Sequence, residues 1–364
     1  MNRLTQTATP VADAETRQAQ QLEELSQENS FMLAISLGAQ LLAFSALYLL
    51  PAAANAGWWA ALLQLIPLAG LGLLGRALRR ALPPEAERKM LCRGMYGLFA
   101  LLFFSDMAVC LLSLTELAHV FFFPKGSRLA LALSAALALG LGIPDSRVAV
   151  PHTARALRWV FAAALIFCAV TVMPSGEAGY LFPLAGYGVR HTLRCAALAS
   201  GSVWAAGAAV LLLPSGTGRP LRRLTAPAVG VGLVAGMLLC CAYVLPGTEL
   251  SSRWGYALRL QLLMEMSPNT LSWSLMLIAE MLLFLTGFAA SADFFRRSAG
   301  YALGLKRMPL LPAALLCLPL ALRGMGESEA LLLRVLPLRG AVCGTALGLG
   351  LAYSLWIKRR RKGA

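Results

Sequence analysis

Residues 92–117 read CRGMYGLFALLFFSDMAVCLLSLTEL, a run long enough as a helix to cross a hydrocarbon core of roughly 30 Å, with Asp106 near its middle. Comparable apolar runs recur along the whole chain. The strict alternation of a lipid-facing strand appears nowhere, so a membrane barrel is excluded in favour of helices. Composition agrees. The chain is 58% hydrophobic and 13% charged with a mean hydropathy of +0.68, whereas soluble domains are roughly one-quarter charged. The expected fold class is an all-α polytopic membrane protein.

The pattern predicts about ten transmembrane helices, at 31–54, 57–78, 92–117, 127–143, 155–173, 187–213, 225–246, 270–292, 307–322 and 335–357. Residues 1–30 then form a polar cytoplasmic tail, 31–357 the transmembrane domain and 358–364 a basic cytoplasmic tail. Lys and Arg support this count. With a cytoplasmic N-terminus, the inner segments hold Arg76, Arg79, Arg80, Arg88, Lys89 and Arg93, then Arg147, Arg155 and Arg158, then Arg219, Arg222 and Arg223. Arg296, Arg297, Lys306, Arg307 and the KRRRK run at 358–362, with Arg3 and Arg17 of the N-terminal tail, complete that set. The outer segments hold only Lys125, Arg128, Arg253, Arg259, Arg323, Arg334 and Arg339. This asymmetry places both termini in the cytoplasm. It also accounts for the net charge of +15 through basic loops beside anionic lipid, with no need of nucleic acid as a partner.

Other classes are excluded by what the chain lacks. The eight cysteines lie almost wholly in apolar runs without metal-site spacing, and the three histidines have no helical pairing suited to zinc. Neither a metal site nor a cofactor is expected. No soluble segment is long enough for a separate enzymatic domain, and the scattered histidines argue against a membrane enzyme. Residues 253–266, RWGYALRLQLLMEM, suit an amphipathic helix on the outer surface or over the mouth of the bundle.

Charged groups at membrane depth need a partner or a task. Asp106 and Glu280 sit near mid-span and suit a cation, a proton or a ligand ammonium; a hydrogen bond to a neighbouring helix is the structural alternative. Glu116 reads as interfacial, and Asp293 as the partner of Arg296 or Arg297 one turn on. Arg190, His191 and Arg194 open span six as a short basic run that snorkels to the interface. Gly70, Gly72, Gly75, Gly344, Gly348 and Gly350 read as close-packing faces. SGSVWAAG, 200–207, and AFSALYLLPAA, 43–53, differ: small polar residues lie halfway down spans six and one, places able to unwind beside a cavity. Five spans separate the two starts, as the broken helices of a five-plus-five inverted repeat would be.

In their order and spacing these features resemble the B subunit of spore germination receptors, a family related to amino acid permeases. Gln40, Ser45, Pro51, Gly57 and Trp58 match its opening pattern; Gly142 and Arg147 precede the fifth helix; Pro183, Gly186 and Gly188 enter the sixth, and Pro214 sits where it commonly ends. The resemblance runs over nearly all of 31–357. Where the family usually has glycine in helix one, this chain has Ala43, Phe44, Ser45 and Ala46; where it often has an acidic residue late in span six, this chain has Ala205, Ala206 and Gly207. The resemblance implies the LeuT-like five-plus-five fold of the amino acid/polyamine/organocation transporter superfamily. It implies a non-enzymatic subunit in the spore inner membrane or bacterial cell membrane that senses a nutrient such as an amino acid, beside an A-type membrane subunit and a C-type lipoprotein. The implied ligand site is walled by Ala43, Phe44, Ser45, Ala46, Ser200, Gly201, Ser202 and Trp204, with Asp106 and Glu280 as its polar contributors. A proton- or sodium-coupled amino acid transporter of the same fold is the alternative.

Overall fold

The computed structural model describes residues 29–45, 49–81, 90–143, 149–172, 176–205, 220–244, 270–305 and 308–362. Regular structure among them is helical throughout. In chain order the helices are α1 (Asn29–Phe44), α2 (Leu50–Ala53), α3 (Gly57–Leu62), α4 (Leu65–Ala81), α5 (Met90–Leu117) and α6 (Arg128–Gly142). There follow α7 (Ala149–Val172), α8 (Val189–Ala199), α9 (Pro220–Val244), α10 (Thr270–Leu303), α11 (Leu311–Leu316) and α12 (Leu318–Lys362). Among the described residues five stretches are long and apolar enough to cross a membrane: Ala54–Leu74, Cys92–Phe122, Thr225–Tyr243, Leu277–Leu303 and Arg334–Ile357. Asn29–Phe44, Arg128–Gly142 and Leu311–Arg323 are shorter apolar helices. The expected all-α polytopic class is the observed one.

The core sits around α1 and α5. Every residue from Met32 to Ser45 is buried, which makes α1 an inner helix rather than a lipid-facing one. α5 is apolar on all sides, the pattern of a helix surrounded by others, and packs most extensively on α10 and α12. Its pairing with α10 is antiparallel. Tyr96 stacks on Tyr301 at 5.0 Å and Phe103 on Phe294 at 5.1 Å, and the methyl position of Gly287 faces Cys110 Sγ at 3.3 Å.

Lipid tails are as apolar as leucine, so helix association in a bilayer depends on close packing more than on exclusion of water. Small residues supply it. A Cβ added at Gly287 of α10 would lie 2.5 Å from Ala39 Cβ of α1, and one at Gly230 of α9 would lie 2.7 Å from the carbonyl oxygen of Ala34. Of the glycines expected to pack closely, Gly350 does so, with Leu78 Cδ2 at 2.6 Å and Met95 Sδ at 3.0 Å from its Cβ position. Gly70, Gly344 and Gly348 have nothing within 4 Å. Gly344 and Gly348, one turn apart, share an exposed face of α12, and Gly350 faces inward.

Two expectations change. Residues 323–334, expected as an outer linker between spans nine and ten, are helical within the 45-residue α12, which continues through Pro337 and through the basic run to Lys362. Charges in RGMGESEALLLR lower hydropathy but remove no backbone donor, so the helical ladder persists where the apolar run stops. Span one, expected to run to 54, ends one residue sooner, since Ala54–Ala56 form a 3-10 turn before Gly57 opens α3. The amphipathic stretch 253–266 and the N-terminal residues 1–28 lie outside the described residues.

These contacts predict the effect of adding one methyl group on α9. Gly230→Ala should cost about 1–3 kcal/mol and lower the melting temperature of the protein in detergent, because the carbonyl of Ala34 must move. Gly232→Ala, with nothing within 4 Å, should leave it unchanged or slightly raised.

Candidate ligand site

Both helices singled out from the sequence change geometry at depth. α1 keeps its regular ladder to Phe44; Ser45 and Leu49 adopt the wider π geometry, and α2 resumes at Leu50 with Pro51 in its first turn. Alanine and serine thus accompany an interruption without glycine. Ala46 lies outside the described residues, as do Leu47 and Tyr48. Ser45 is fully buried and its Oγ has no hydrogen-bond partner among the described residues.

α8 buries Thr192, Cys195, Ala196 and Ala199, the i, i+3, i+4, i+7 stripe of a helix with one covered face. It then tightens into a 3-10 turn over Ser200–Ser202. Ser200 Oγ donates to the Ala197 carbonyl at 2.6 Å and Ser202 Oγ to that of Ala199 at 2.8 Å. Such back-bonds compete with the backbone amides for the same carbonyls and bend helices. They also engage the hydroxyl protons of both serines.

Side chains from other elements fix α8 in place. Gln64 Nε2 donates to the Ala196 carbonyl at 2.8 Å, and His191 Nε2 lies 3.1 Å from that of Ala52. The loop leading into α8 is tied to the α2–α3 turn. Asn55, buried, donates from Nδ2 to the carbonyls of Tyr180 and Phe182, each at 2.9 Å, and Trp59 Nε1 donates to that of Leu184 at 2.7 Å. Gly186, at φ +54°, passes so close to the Ala53 carbonyl that a Cβ there would collide with it. Tyr187, Val189, Arg190, His191 and Arg194 line an open hollow of about 640 Å³ at the start of α8.

At the level of the interruptions four elements converge on one buried ion pair. Asp106 of α5 is 1% exposed and Arg339 of α12 is 2% exposed. Arg339 Nη2 ion-pairs with Asp106 Oδ1, and its Nε donates to the carbonyl of Gly201 at 3.0 Å. The guanidinium lies over the ring of Phe44, with Cζ 5.2 Å from the centroid, a cation–π contact. Gln40 of α1 donates from Nε2 to the Asp106 carbonyl at 2.9 Å and to Cys110 Sγ at 3.2 Å. Trp204 lies over Gly340, its Nε1 3.3 Å from the glycine's Cβ position, and its carbonyl accepts from Cys343 Sγ at 3.5 Å.

Of the residues expected at the site, Phe44, Asp106, Gly201 and Trp204 meet here, flanked in sequence by Ala43, Ser45, Ser200 and Ser202. Glu280 does not reach Asp106. The antiparallel register of α5 and α10 puts it level with Leu117, about 16 Å further along the helix at 1.5 Å per residue. It is 2% exposed there. Arg339, read from sequence as an outer-segment residue, is instead a buried part of the bundle. Its place near the end of span ten suggests the interface, but periodicity puts it inside: Leu336, Arg339, Cys343, Ala346, Leu347, Gly350 and Tyr353 form one buried stripe at three- and four-residue spacing. Of the other charges, Asp293 pairs with Arg297 at 2.6 Å one turn on, as expected, and Glu116 pairs with Arg128 at 3.3 Å rather than standing free.

Among solved structures the chain is similar to a manganese transporter of Eremococcus coleocola in complex with an aromatic bis-isothiourea substituted compound. The identity is 13% and the TM-score 0.52, over 92% of this chain and 78% of that one. A mutant of the same transporter gives 13% identity and a TM-score of 0.48, over 90% and 75%. No protein-family model and no curated protein matches the chain. At this identity the likeness is one of fold alone.

The pair predicts a strong asymmetry between single and double variants. Arg339→Gln strands a buried carboxylate and should cost about 3–5 kcal/mol; Asp106→Asn/Arg339→Gln, uncharged on both sides, should recover most of that loss. Unfolding of the variants in detergent, analysed as a double-mutant cycle, measures the coupling directly.

Proposed function

We propose that the chain recognises a small organic solute, an amino acid in the first instance, where α1 and α8 lose regular geometry, as the nutrient-sensing membrane subunit of a spore germination receptor. The observation that carries the site is the Asp106–Arg339 pair, buried within the bundle and braced to the Gly201 carbonyl at the α8 interruption. Ionised groups persist at such depth where they are paired or have a task, and a ligand able to compete for this pair gains differential affinity for one packing of the helices. The resulting population shift is what an A-type membrane subunit and a C-type lipoprotein would read. The sequence resemblance supports the receptor assignment, and the transporter fold supports a solute site between interrupted helices.

A proton- or sodium-coupled amino acid transporter is the alternative, since a transporter fold needs the same site. Manganese, the cargo named for the structural neighbour, fits these residues poorly: the site has a fixed guanidinium charge, and the described residues contain no group of three or more His, Cys, Asp or Glu able to hold a metal. Reconstitution into liposomes separates the readings. A receptor subunit binds an L-amino acid without accumulating it, with or without a proton or sodium gradient; gradient-dependent accumulation assigns transport, and manganese uptake without amino acid binding overturns both readings. Co-purification with A-type and C-type subunits is expected for the receptor alone.

A further inference from the structure

A guanidinium carries five N–H donors and accepts nothing. In Arg339, Nε is satisfied by the Gly201 carbonyl and Nη2 by Asp106, while Nη1 is buried with no hydrogen-bond partner among the described residues. A buried charged donor left unpaired is costly. Two more unpartnered polar atoms lie on residues of the same site. Gln40, which holds the Asp106 backbone, has a buried Oε1 with no partner among the described residues, and Ser45 Oγ follows directly on Phe44, whose ring covers the guanidinium.

We infer that Arg339 is the ligand's carboxylate-binding residue, Nη1 being the donor it offers, and that the site selects solutes carrying a carboxylate. The inference rests on the reading that a small solute binds at the interrupted helices. Arginine is suited to the role because its planar fork directs several N–H groups at a carboxylate, which the point charge of lysine cannot reproduce. Charge balance narrows the choice among carboxylates. Asp106 and Arg339 together are neutral, so a simple anion would leave a net charge deep in the protein. A zwitterion adds none, since its ammonium can face Asp106, Ser45 Oγ or Gln40 Oε1 while its carboxylate takes Nη1. Asp106 then has two tasks: it holds the guanidinium in place and meets the ligand's positive end.

The test is thermal stabilisation of the purified full-length protein in detergent by the twenty L-amino acids, by L-lactate and pyruvate, and by manganese. Each stabilising acid is then compared with its carboxamide. We expect at least one L-amino acid to stabilise the protein, its carboxamide to bind about tenfold or more weakly, and Arg339→Lys to remove most of that discrimination. The acid-to-amide ratio on the wild-type protein needs no variant to fold. An amino acid whose amide binds equally well overturns the assignment of Arg339 and leaves the proposed function standing. Stabilisation by lactate or pyruvate alone, lost in Arg339→Lys, supports the assignment and overturns amino acid sensing. Stabilisation by manganese alone, or by none of these probes, overturns the assignment.

Discussion

The ion pair between Asp106 and Arg339 is the constraint around which the interior is arranged. Two full charges removed from water are tolerable only with close pairing and further hydrogen bonds, and the structure supplies these from separate elements. Gln40 of α1 holds the backbone of Asp106, the carbonyl of Gly201 accepts from Arg339, and Phe44 covers the guanidinium face. The carbonyl is available because α8 has left its regular ladder at Ser200–Ser202, so the interruption and the charge explain each other. A continuous α8 would direct that carbonyl along its own axis, and an apolar residue at 339 would give it no outside donor.

Around this centre the helices come close through small residues and are located by amide side chains. Gly230 and Gly287 let α9 and α10 approach α1 within methyl distance. Asn55, Trp59 and Gln64 spend their N–H donors on carbonyls of α8 or the loop leading into it, linking the stretch from the α2–α3 turn to the start of α4 with α8 at several heights. Phe44, next to Ser45, and the Gly201 carbonyl both contact Arg339, so a change of packing near Ser45 is mechanically connected to one near Gly201. Such a connection is what a ligand-driven two-state change requires.

Much of this was legible in the sequence. Apolar run length pointed to the helical class, and small polar residues at 43–46 and 200–202 marked the interruptions; at 200–202 the serine hydroxyls compete for helix carbonyls, whereas Ser45 Oγ makes no such bond among the described residues. Asp106 was legible as a charge at depth. Arg339 was not read as its partner because averaging over a window hides a lone cation at the end of an apolar run, whereas the three- and four-residue spacing of its stripe contains it. Glu280 showed the opposite failure. Mid-span position gives depth within one helix, but only the register between α5 and α10, set by stacked aromatic pairs far apart in sequence, shows that it lies well away from Asp106. The helical continuity of 323–334 was hidden for a related reason, since hydropathy reports the solvent a segment prefers and not its hydrogen bonding.

Ligand recognition, as proposed, centres on a charged pair beside two interrupted helices. A cryo-electron microscopy structure of the protein saturated with a stabilising amino acid tests this most directly. The predicted result is ligand density between Ser45 and Gly201 with its carboxylate on Nη1 of Arg339. Density away from the pair, with Arg339 and Asp106 unchanged, would contradict it.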